Sequence, residues 1–336
     1  MKMTHAVLTA VASFLLAMPM TASAQQPTRS ITEIAENLYW ARNNNHYAVV
    51  LVTSDGVILV DTINADFSEW LKGEIESRFG VPVRYVLYSH NHWDHASGGA
   101  VFADTATFVG HANMLGNLAM PPADTPLSAA AAALDVNSDG YLQASEATGN
   151  FAEAFAQYDA SADGRLSGAE IARGPVSEVR APDVVYKDRM TVRLGDSSAE
   201  LIYAGRMAHT DDMSVVRFAD QRAVFVVDFI SLGRLPFQAL PDGPLDPWLN
   251  AMRAVENLDV DIVAPGHGIM GDLSDVAAHR RYIEELRDLV GAGIARGASL
   301  EELQAEIMMT PYQDWISYAQ WRPLNVAGMY RILTTE

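Results

Sequence analysis

The chain has 336 residues, of which 49% are hydrophobic, and it contains no cysteine. This length is enough for one large core or two modest domains, and the lack of cysteine excludes disulfides and thiolate metal ligands. The formal net charge of −19 repels the phosphate backbone of nucleic acids, so no nucleic-acid partner is expected.

The first 24 residues have the pattern of an export signal rather than of a folded element. Lys2 gives a positive start, residues 7–18 are mostly apolar, and Ala22, Ser23 and Ala24 form a small-residue cleavage site. The apolar run is too short to span a bilayer comfortably. The pattern predicts a signal peptide at 1–24, a periplasmic or secreted mature chain from Gln25, and no membrane span after cleavage.

The elements that follow alternate between strands and helices. Residues 38–62 predict a strand meander with a turn at Ser54-Asp55-Gly56, and residues 66–79 have helical periodicity. Short apolar strands are predicted at 83–88 and 108–109. Further strands are predicted at 190–194, 199–203, 214–218, 223–227 and 261–264, and helices at 275–296 and 300–309. This order favours an α/β sandwich in four layers.

Proline and glycine pairs bracket a segment of different composition between residues 121 and 175. Alanine, aspartate and glycine dominate this segment, which indicates an inserted module. The predicted organisation is a signal peptide at 1–24, a first half-domain at 25–122, an insertion at 123–175, a second half-domain at 176–297, and a C-terminal helical extension at 298–336.

A dense group of potential metal ligands directly follows the strand at 83–88. His90, His92, Asp94 and His95 lie in the stretch SHNHWDH. Imidazole and carboxylate are the ligands that zinc takes when thiolate is absent. Alternate residues of an extended segment point the same way. His90 and His92 can therefore share one metal ion, and Asp94 and His95 can reach a second.

Three more candidates each follow a predicted strand. His209 comes shortly after 199–203, Asp228 directly after 223–227, and His267 shortly after 261–264. Alone, each is more often a structural residue than a ligand. Their joint occurrence with the histidine-rich loop predicts a metal site.

The order HxHxDH followed by a separate His, Asp and His resembles the metallo-β-lactamase superfamily over about residues 38–296, apart from the insertion. The resemblance implies a four-layer αββα sandwich with a small all-α insertion. It also implies a first zinc ion on His90, His92 and His209, a second zinc ion on Asp94, His95 and His267, and Asp228 as the bridge between them.

The resemblance further implies a hydrolase in which a hydroxide held between the two metal ions attacks a carbonyl or similar electrophile. Asp94 would orient the nucleophile and accept its proton. The expected substrate is a small molecule with an ester, lactone, thioester or amide-type bond, β-lactams included. Two alternatives remain open: an iron-dependent, oxygen-using member of the same fold, and a calcium-dependent binding protein with a residual metal site.

The insertion contains one twelve-residue pattern twice, at 135–146 and 159–170, with glycine sixth and glutamate twelfth. The pattern resembles the EF-hand loop, whose oxygen ligands suit calcium. It implies up to two Ca²⁺ ions bound through Asp135, Asn137, Asp139, Tyr141 and Glu146, and through Asp159, Ser161, Asp163, Arg165 and Glu170. The alternative is a degenerate pair without ions. The short spacing predicts one shared helix at 147–158. Because calcium is abundant and constant around an exported protein, a structural clamp is expected rather than a sensor.

The remaining histidines have weaker patterns. His5 belongs to the signal, and His111 follows a strand, where a structural role is expected. His279 is expected on a solvent-facing side of a helix. His46 lies in a polar loop and is interpreted either as a solvated residue or as a substrate contact.

Overall fold

The computed structural model describes residues 26–335, so the predicted signal peptide and its cleavage site lie outside the described residues. Two β-sheets face each other, and helices cover the outer side of each. The elements of the first half are β1 (Arg29–Ala35), β2 (Leu38–Asn43), β3 (His46–Thr53), β4 (Gly56–Val60), α1 (Ala65–Phe79), β5 (Val83–Leu87), α2 (Trp93–Ala96), β6 (Thr107–His111) and α3 (Ala112–Leu118).

The first sheet starts as a meander and continues with parallel strands. β1 to β4 pair antiparallel in sequence order, and β5 then joins β4 in parallel through the crossover helix α1. Asn64 caps the start of α1 by accepting a hydrogen bond from the Phe67 N–H, and Gly80 ends it at a φ of 67°. β5 has a neighbour on each side. The chain that leaves β5 therefore starts from a rigid position.

The insertion forms small helices and one short strand pair between β6 and its next parallel partner. Its elements are α4 (Ala129–Ala132), β7 (Leu142–Gln143), α5 (Asn150–Glu153), α6 (Phe155–Tyr158), β8 (Arg165–Leu166) and α7 (Gly168–Arg173), and β9 (Val184–Tyr186) then pairs with β6. The single helix predicted at 147–158 is wrong. Gly149 adopts a φ of 54°, which delays the helical start, and Ala154 interrupts the helical backbone between α5 and α6.

The second half repeats the sheet-and-helix pattern. Its elements are β10 (Arg189–Leu194), β11 (Ser197–Tyr203), β12 (Ser214–Phe218), β13 (Ala223–Val226), α8 (Leu245–Glu256), β14 (Ile262–Pro265), α9 (Leu273–Ala295), α10 (Leu300–Glu306) and α11 (Tyr318–Thr335). β10 to β13 pair antiparallel, and β14 lies parallel to β13. The predicted helix at 300–309 is shorter than expected, because Ile307 takes an extended backbone conformation (φ −81°, ψ 90°).

Three buried apolar clusters define four layers. One cluster contains side chains of both sheets, such as Val49 and Leu201, and fills the space between them. A second lies between the first sheet and α1 and contains Phe67. A third lies between the second sheet and the helices α8, α9 and α11, with Val224 and Met252 among its members. The predicted α/β sandwich, with αββα layers, is confirmed.

No helix within residues 26–335 combines the length and the apolar character needed to cross a membrane.

Candidate metal centre

The residues of the predicted metal centre meet at one edge of the sandwich. The loop from His90 to His95 leaves β5 and turns into α2, which begins after His92. Asp228 and His267 each lie two residues past the end of β13 and β14. Because these strands are parallel and adjacent, their carboxyl ends lie side by side. His209 approaches from the connection between β11 and β12.

Asp228 stands at the middle of the group. Its Oδ2 lies 3.1 Å from Nε2 of His90 and 3.0 Å from Nε2 of His209. Its Oδ1 lies 3.3 Å from Nε2 of His95 and 3.2 Å from Nε2 of His267. The two carboxylate oxygens therefore face two separate pairs of imidazoles. A carboxylate that bridges two cations needs this division.

His92 and Asp94 extend the two pairs. The ring of His92 lies 4.5 Å from that of His90 and 4.4 Å from that of His209, between centroids. Asp94 Oδ2 lies 3.6 Å from Nε2 of both His95 and His267. All seven predicted ligands are thus brought together. Among residues 26–335, every group of three or more His, Asp or Glu side chains with ligand atoms within 4.8 Å of one another belongs to this centre.

Asp61 is a fully buried carboxylate that supports both pairs and that the sequence interpretation missed. It directly follows β4 and accepts hydrogen bonds from the Ser89 N–H (2.9 Å) and the Ser89 hydroxyl (2.7 Å). Its Oδ2 also lies 3.3 Å from Nδ1 of His95. Since the Ser89 hydroxyl donates to Asp61, its oxygen accepts from Nδ1 of His90 at 3.0 Å. Asp61 therefore orients one imidazole of each pair. The available signal was its position after a buried strand, which it shares with Asp228.

The donor set fits a divalent metal ion. The proton of His90 is on Nδ1, and His267 likewise donates from Nδ1 to the Asn45 carbonyl at 3.0 Å. Both rings then present the Nε2 lone pair to the centre. The Nε2 atoms of His95 and His267 are only 3.0 Å apart, so a proton or a cation must separate their lone pairs. Buried imidazole and carboxylate donors of this kind suit zinc and other borderline divalent ions.

Burial and mutual charge set the pKa values of the centre in the absence of a cation. Burial, reinforced by His209, lowers the pKa of His92 well below its usual value and keeps the ring neutral. For His95, the carboxylates of Asp228 and Asp94 outweigh burial and raise the pKa well above its usual value. In turn His95 outweighs burial and holds the pKa of Asp94 and Asp228 well below normal. Both carboxylates are therefore anions at neutral pH.

His46 lies at the rim of the centre. It opens β3, its side chain is 33% exposed, and its Nε2 lies 3.4 Å from Asp94 Oδ2. Its ring meets that of His267 edge-on at 4.6 Å between centroids. Burial lowers its pKa, so the ring is neutral near pH 7. The interpretation of His46 as a solvated loop residue is wrong, and its contact with substrate stays a prediction.

Arg234 is a cation near the centre that the sequence interpretation also missed. Its Nη2 donates to the Ser231 hydroxyl at 2.9 Å, and its guanidinium lies 5.3 Å from the centroid of the Trp321 ring. Burial lowers its pKa, while the negative charges of Asp228 and Asp94 act in the opposite direction. The charge of Arg234 thus balances part of the negative charge of the centre.

The other two described histidines have structural positions. His111 stacks on Tyr203 at 4.0 Å and donates from Nε2 to the Lys187 carbonyl at 2.8 Å, in line with the structural role expected of it. His279 does not face solvent as expected. It is fully buried, with its ring parallel to that of Trp315, because the segment before α11 covers this side of α9. Burial lowers its pKa to about 3.

The two twelve-residue loops of the insertion have the same backbone conformation. The fourth and sixth residues of each adopt a positive φ, and β7 and β8 align the loops through the pair Leu142 and Leu166. The φ values are 57° at Ser138 and Ala162, 82° at Gly140 and 83° at Gly164. Glycine is the residue that adopts the latter conformation most readily.

The first and twelfth side chains of each loop turn inward onto the backbone. Their carboxylates accept N–H hydrogen bonds from Gly140 to Asp135 (3.0 Å), Gln143 to Glu146 (3.0 Å), Gly164 to Asp159 (2.9 Å) and Ser167 to Glu170 (2.9 Å). Asn137, Asp139, Ser161 and Asp163 lie within the same loops, and Arg165 stacks on the Tyr141 ring at 3.8 Å. The predicted calcium ligands are therefore gathered into two adjacent loops.

Comparison with known proteins agrees with the fold. The family model of the metallo-beta-lactamase superfamily matches residues 41–267. The chain belongs to this superfamily.

Individual relatives are distant. A metallo-beta-lactamase from Pontibacter korlensis superposes with a TM-score of 0.52 at 17% identity, over 76% of this chain and 99% of that one. A stereoselective inverting sec-alkylsulfatase from Pseudomonas sp. superposes with a TM-score of 0.60 at 15% identity, over 90% of this chain and 50% of that one. The 2,4-dinitroanisole O-demethylase subunit alpha of Nocardioides sp. (strain JS1661) is 25% identical over 239 residues. That match covers 70% of this chain, which spans a little over half (57%) of the relative's length.

Proposed function

We propose that the protein is a hydrolase that uses two zinc ions to cleave an ester, lactone, thioester or amide-type bond in a small molecule. The observation that carries this proposal is the division of the Asp228 oxygens between two pairs of imidazoles. His90, His92 and His209 would hold the first ion, and Asp94, His95 and His267 the second, with Asp228 shared.

Zinc bound at such a site acidifies a water molecule and polarises the carbonyl that the water attacks. The chain supplies the proton acceptor. Asp94 is charged, its side chain is 23% exposed, and its Oδ2 points between His95 and His267. His46 lies against the same oxygen and can position Asp94 or the substrate. Asp61 and Asn45 hold the imidazoles from behind, so little reorganisation accompanies the reaction.

The metal centre identifies the reaction class more closely than the type of bond that is cleaved. The lactamase subclasses that use a cysteine ligand are excluded, because Asp228 occupies the corresponding strand end and the chain has no cysteine. The proposed substrates are therefore lactones, esters and thioesters, with weak cleavage of β-lactams. A residual metal site in a calcium-dependent binding protein is disfavoured, because the partners behind the imidazoles are all in place.

Iron-dependent, oxygen-using chemistry is the second candidate. The observation that favours it is the match to a protein named as an O-demethylase subunit, at 25% identity. The imidazole and carboxylate ligands of the centre also accept iron.

Metal analysis combined with a substrate panel tests the proposal. The metal content of protein purified without added metal is measured by inductively coupled plasma mass spectrometry. Turnover is measured with nitrocefin, a homoserine lactone and a thioester. Two zinc ions per chain and hydrolysis of at least one substrate are expected. Asp94→Asn and His92→Ala should abolish turnover while circular dichroism stays unchanged. Iron as the purified metal, or full activity in either variant, would overturn the zinc hydrolase proposal.

We also propose that the insertion binds up to two calcium ions as a structural clamp. The repeated ligand pattern, the matching backbone of the two loops and their alignment through Leu142 and Leu166 support this. Chelators remove zinc as well, so the test is addition. Calcium titrated into desalted protein should raise the melting temperature by several degrees, and magnesium should not. An unchanged melting temperature would contradict the clamp.

Export is proposed from the signal pattern at residues 1–24. Expression of the full chain in a Gram-negative host should give a periplasmic product that begins near Gln25 by mass spectrometry. An intact N-terminus in the cytosol would contradict it.

A further inference from the structure

A cleft of about 660 Å³ opens beside His92, one of the ligands proposed for the first zinc ion. Asn91, His92 and Thr210 are among the residues that line it. Its size is that of a small-molecule site. Because His92 is a predicted metal ligand, the cleft reaches the metal centre.

One wall of this cleft comes from the insertion. Ala172 and Arg173, at the end of α7, line it together with Asn117 of α3. The segment that directly follows α7 is anchored in the body of the protein, because Val176 and Val179 pack in the cluster between the first sheet and α1. The guanidinium Nε of Arg173 donates to the Leu118 carbonyl at 3.0 Å. The insertion is thus a fixed part of the cleft rather than a separate appendage.

The charges in the cleft leave one cation without a carboxylate partner. Arg206 forms an ion pair with Asp211 at 2.8 Å, and Asp242 is paired with Arg331. Arg173 has no carboxylate within ion-pair distance among residues 26–335, and its two terminal nitrogens have no hydrogen-bond partner there. The chain has a net charge of −19. An unpaired arginine in a cleft of such a chain therefore favours an anionic ligand at that point. Its planar fork matches a carboxylate in shape and charge.

We propose that Arg173 binds a carboxylate of the substrate, so that the inserted module selects anionic small molecules for the metal centre. This inference rests on the proposed hydrolase function and adds a substrate class to it. The scissile bond lies at the metal centre, and the carboxylate lies across the cleft on α7.

A matched pair of esters tests the assignment. 4-Nitrophenyl acetate is neutral, and mono-(4-nitrophenyl) glutarate carries a free carboxylate. With the metal-loaded protein, Arg173→Gln should lower kcat/KM for the glutarate ester about tenfold or more, mainly through KM, since a charge-assisted hydrogen bond is lost. The acetate ester should change less than twofold. Arg173→Lys should restore part of the difference.

Arg206→Gln is the control, because it removes a cation that is already paired with Asp211 in the same cleft. It should alter the ratio between the two esters less than threefold. Equal losses on both esters in Arg173→Gln, or a larger effect of Arg206→Gln, would overturn the role of Arg173. Melting temperatures of the variants check that α7 stays folded.

A binding measurement separates this inference from the hydrolase proposal. Saturation-transfer NMR with free glutarate should show contact with the wild-type protein and loss of contact in Arg173→Gln. If no ester is cleaved while this dependence holds, the hydrolase fails and the anion site stands. If esters are cleaved and glutarate contact is the same in both proteins, the anion site fails and the hydrolase stands.

Discussion

The metal centre and the calcium loops are two ligand sets built in opposite ways. The ligands of the metal centre lie between His90 and His267, at strand ends of both sheets, and are buried or half-buried. Each proposed calcium loop is a single stretch of twelve residues whose first half is mostly exposed, and its first carboxylate bonds to the backbone of the same loop. The first set exists only in the folded sandwich. The second is encoded locally.

The two ligand sets also differ in the free energy needed to bury their polar groups. Burying imidazoles and carboxylates is unfavourable unless each has a partner. At the metal centre Asp61, Ser89 and the Asn45 carbonyl supply partners from behind, and the proposed cations would complete the front. The carboxylates of the loops, apart from the buried Glu170, keep contact with water, and backbone and side-chain donors of the loops themselves are their partners.

The largest expected effect comes from breaking the link between the two halves of the centre. Asp228→Asn should lower kcat about a thousandfold, since several kcal/mol of charge stabilisation are lost. Bound zinc should fall below two ions per chain. Asparagine tolerates the φ of 54° at this position, so the backbone is preserved. Asp220→Asn, in an exposed turn, is the control. Full zinc content in Asp228→Asn would show that the carboxylate does not bridge.

The supporting carboxylate should have the next largest effect. Asp61→Asn removes the charge that orients His90 through Ser89 and contacts His95 directly. We expect zinc affinity to fall about 10- to 100-fold, measured by competition with a chromogenic chelator. Asp55→Asn, at the other end of β4, should bind zinc as the wild type does. Unchanged affinity in Asp61→Asn would limit that residue to packing.

Within the insertion, calcium binding at the two loops should differ in its effect on the melting temperature. Glu170 is buried on α7, whose Arg173 donates a hydrogen bond to the Leu118 carbonyl of the body, whereas Glu146 is only partly buried. Glu170→Gln should remove most of the calcium-induced rise in melting temperature, and Glu146→Gln a smaller part. Saturating calcium contributes about 2.7 kcal/mol at a hundred times Kd. Equal effects of the two variants would mean that α7 does not transmit binding to the body.

The smallest effect tests a buried imidazole outside the metal centre. His279 has a pKa of about 3 in the folded protein, because its ring is fully buried. Arg234 is the cation that disfavours its protonation further. Because the unfolded chain takes up the proton at higher pH, stability is complete above about pH 6.5 and falls as the pH drops toward 3.

His279→Phe should keep the stacking on Trp315 and remove this dependence. Between pH 7 and pH 5 it should lose about 2 kcal/mol less unfolding free energy than the wild type, measured by urea denaturation. Parallel curves for the two proteins would show that the fold does not lower the pKa of His279.

Much of the fold and of the centre follows from local patterns. The loop from His90 to His95 is contiguous, and Asp228 and His267 follow apolar strands, so their convergence could be predicted. The positions that failed depend on distant contacts. In the sequence, Asp61 does not differ from other aspartates that follow a strand, because its contact with Ser89 forms only in the fold. His279 is covered by Trp315, which belongs to a later segment of the chain. The break at Ala154 reflects a geometry that alanine-rich composition does not reveal.

The sharing of the centre between both sheets has a consequence for how the protein acquires its ions. During refolding, each contiguous loop of the insertion has its full set of oxygen donors as soon as that short stretch closes. The centre has high affinity only after the two sheets have docked and aligned β5 with β13 and β14. Zinc uptake should therefore lag behind calcium uptake, and it marks the moment at which the sandwich is assembled.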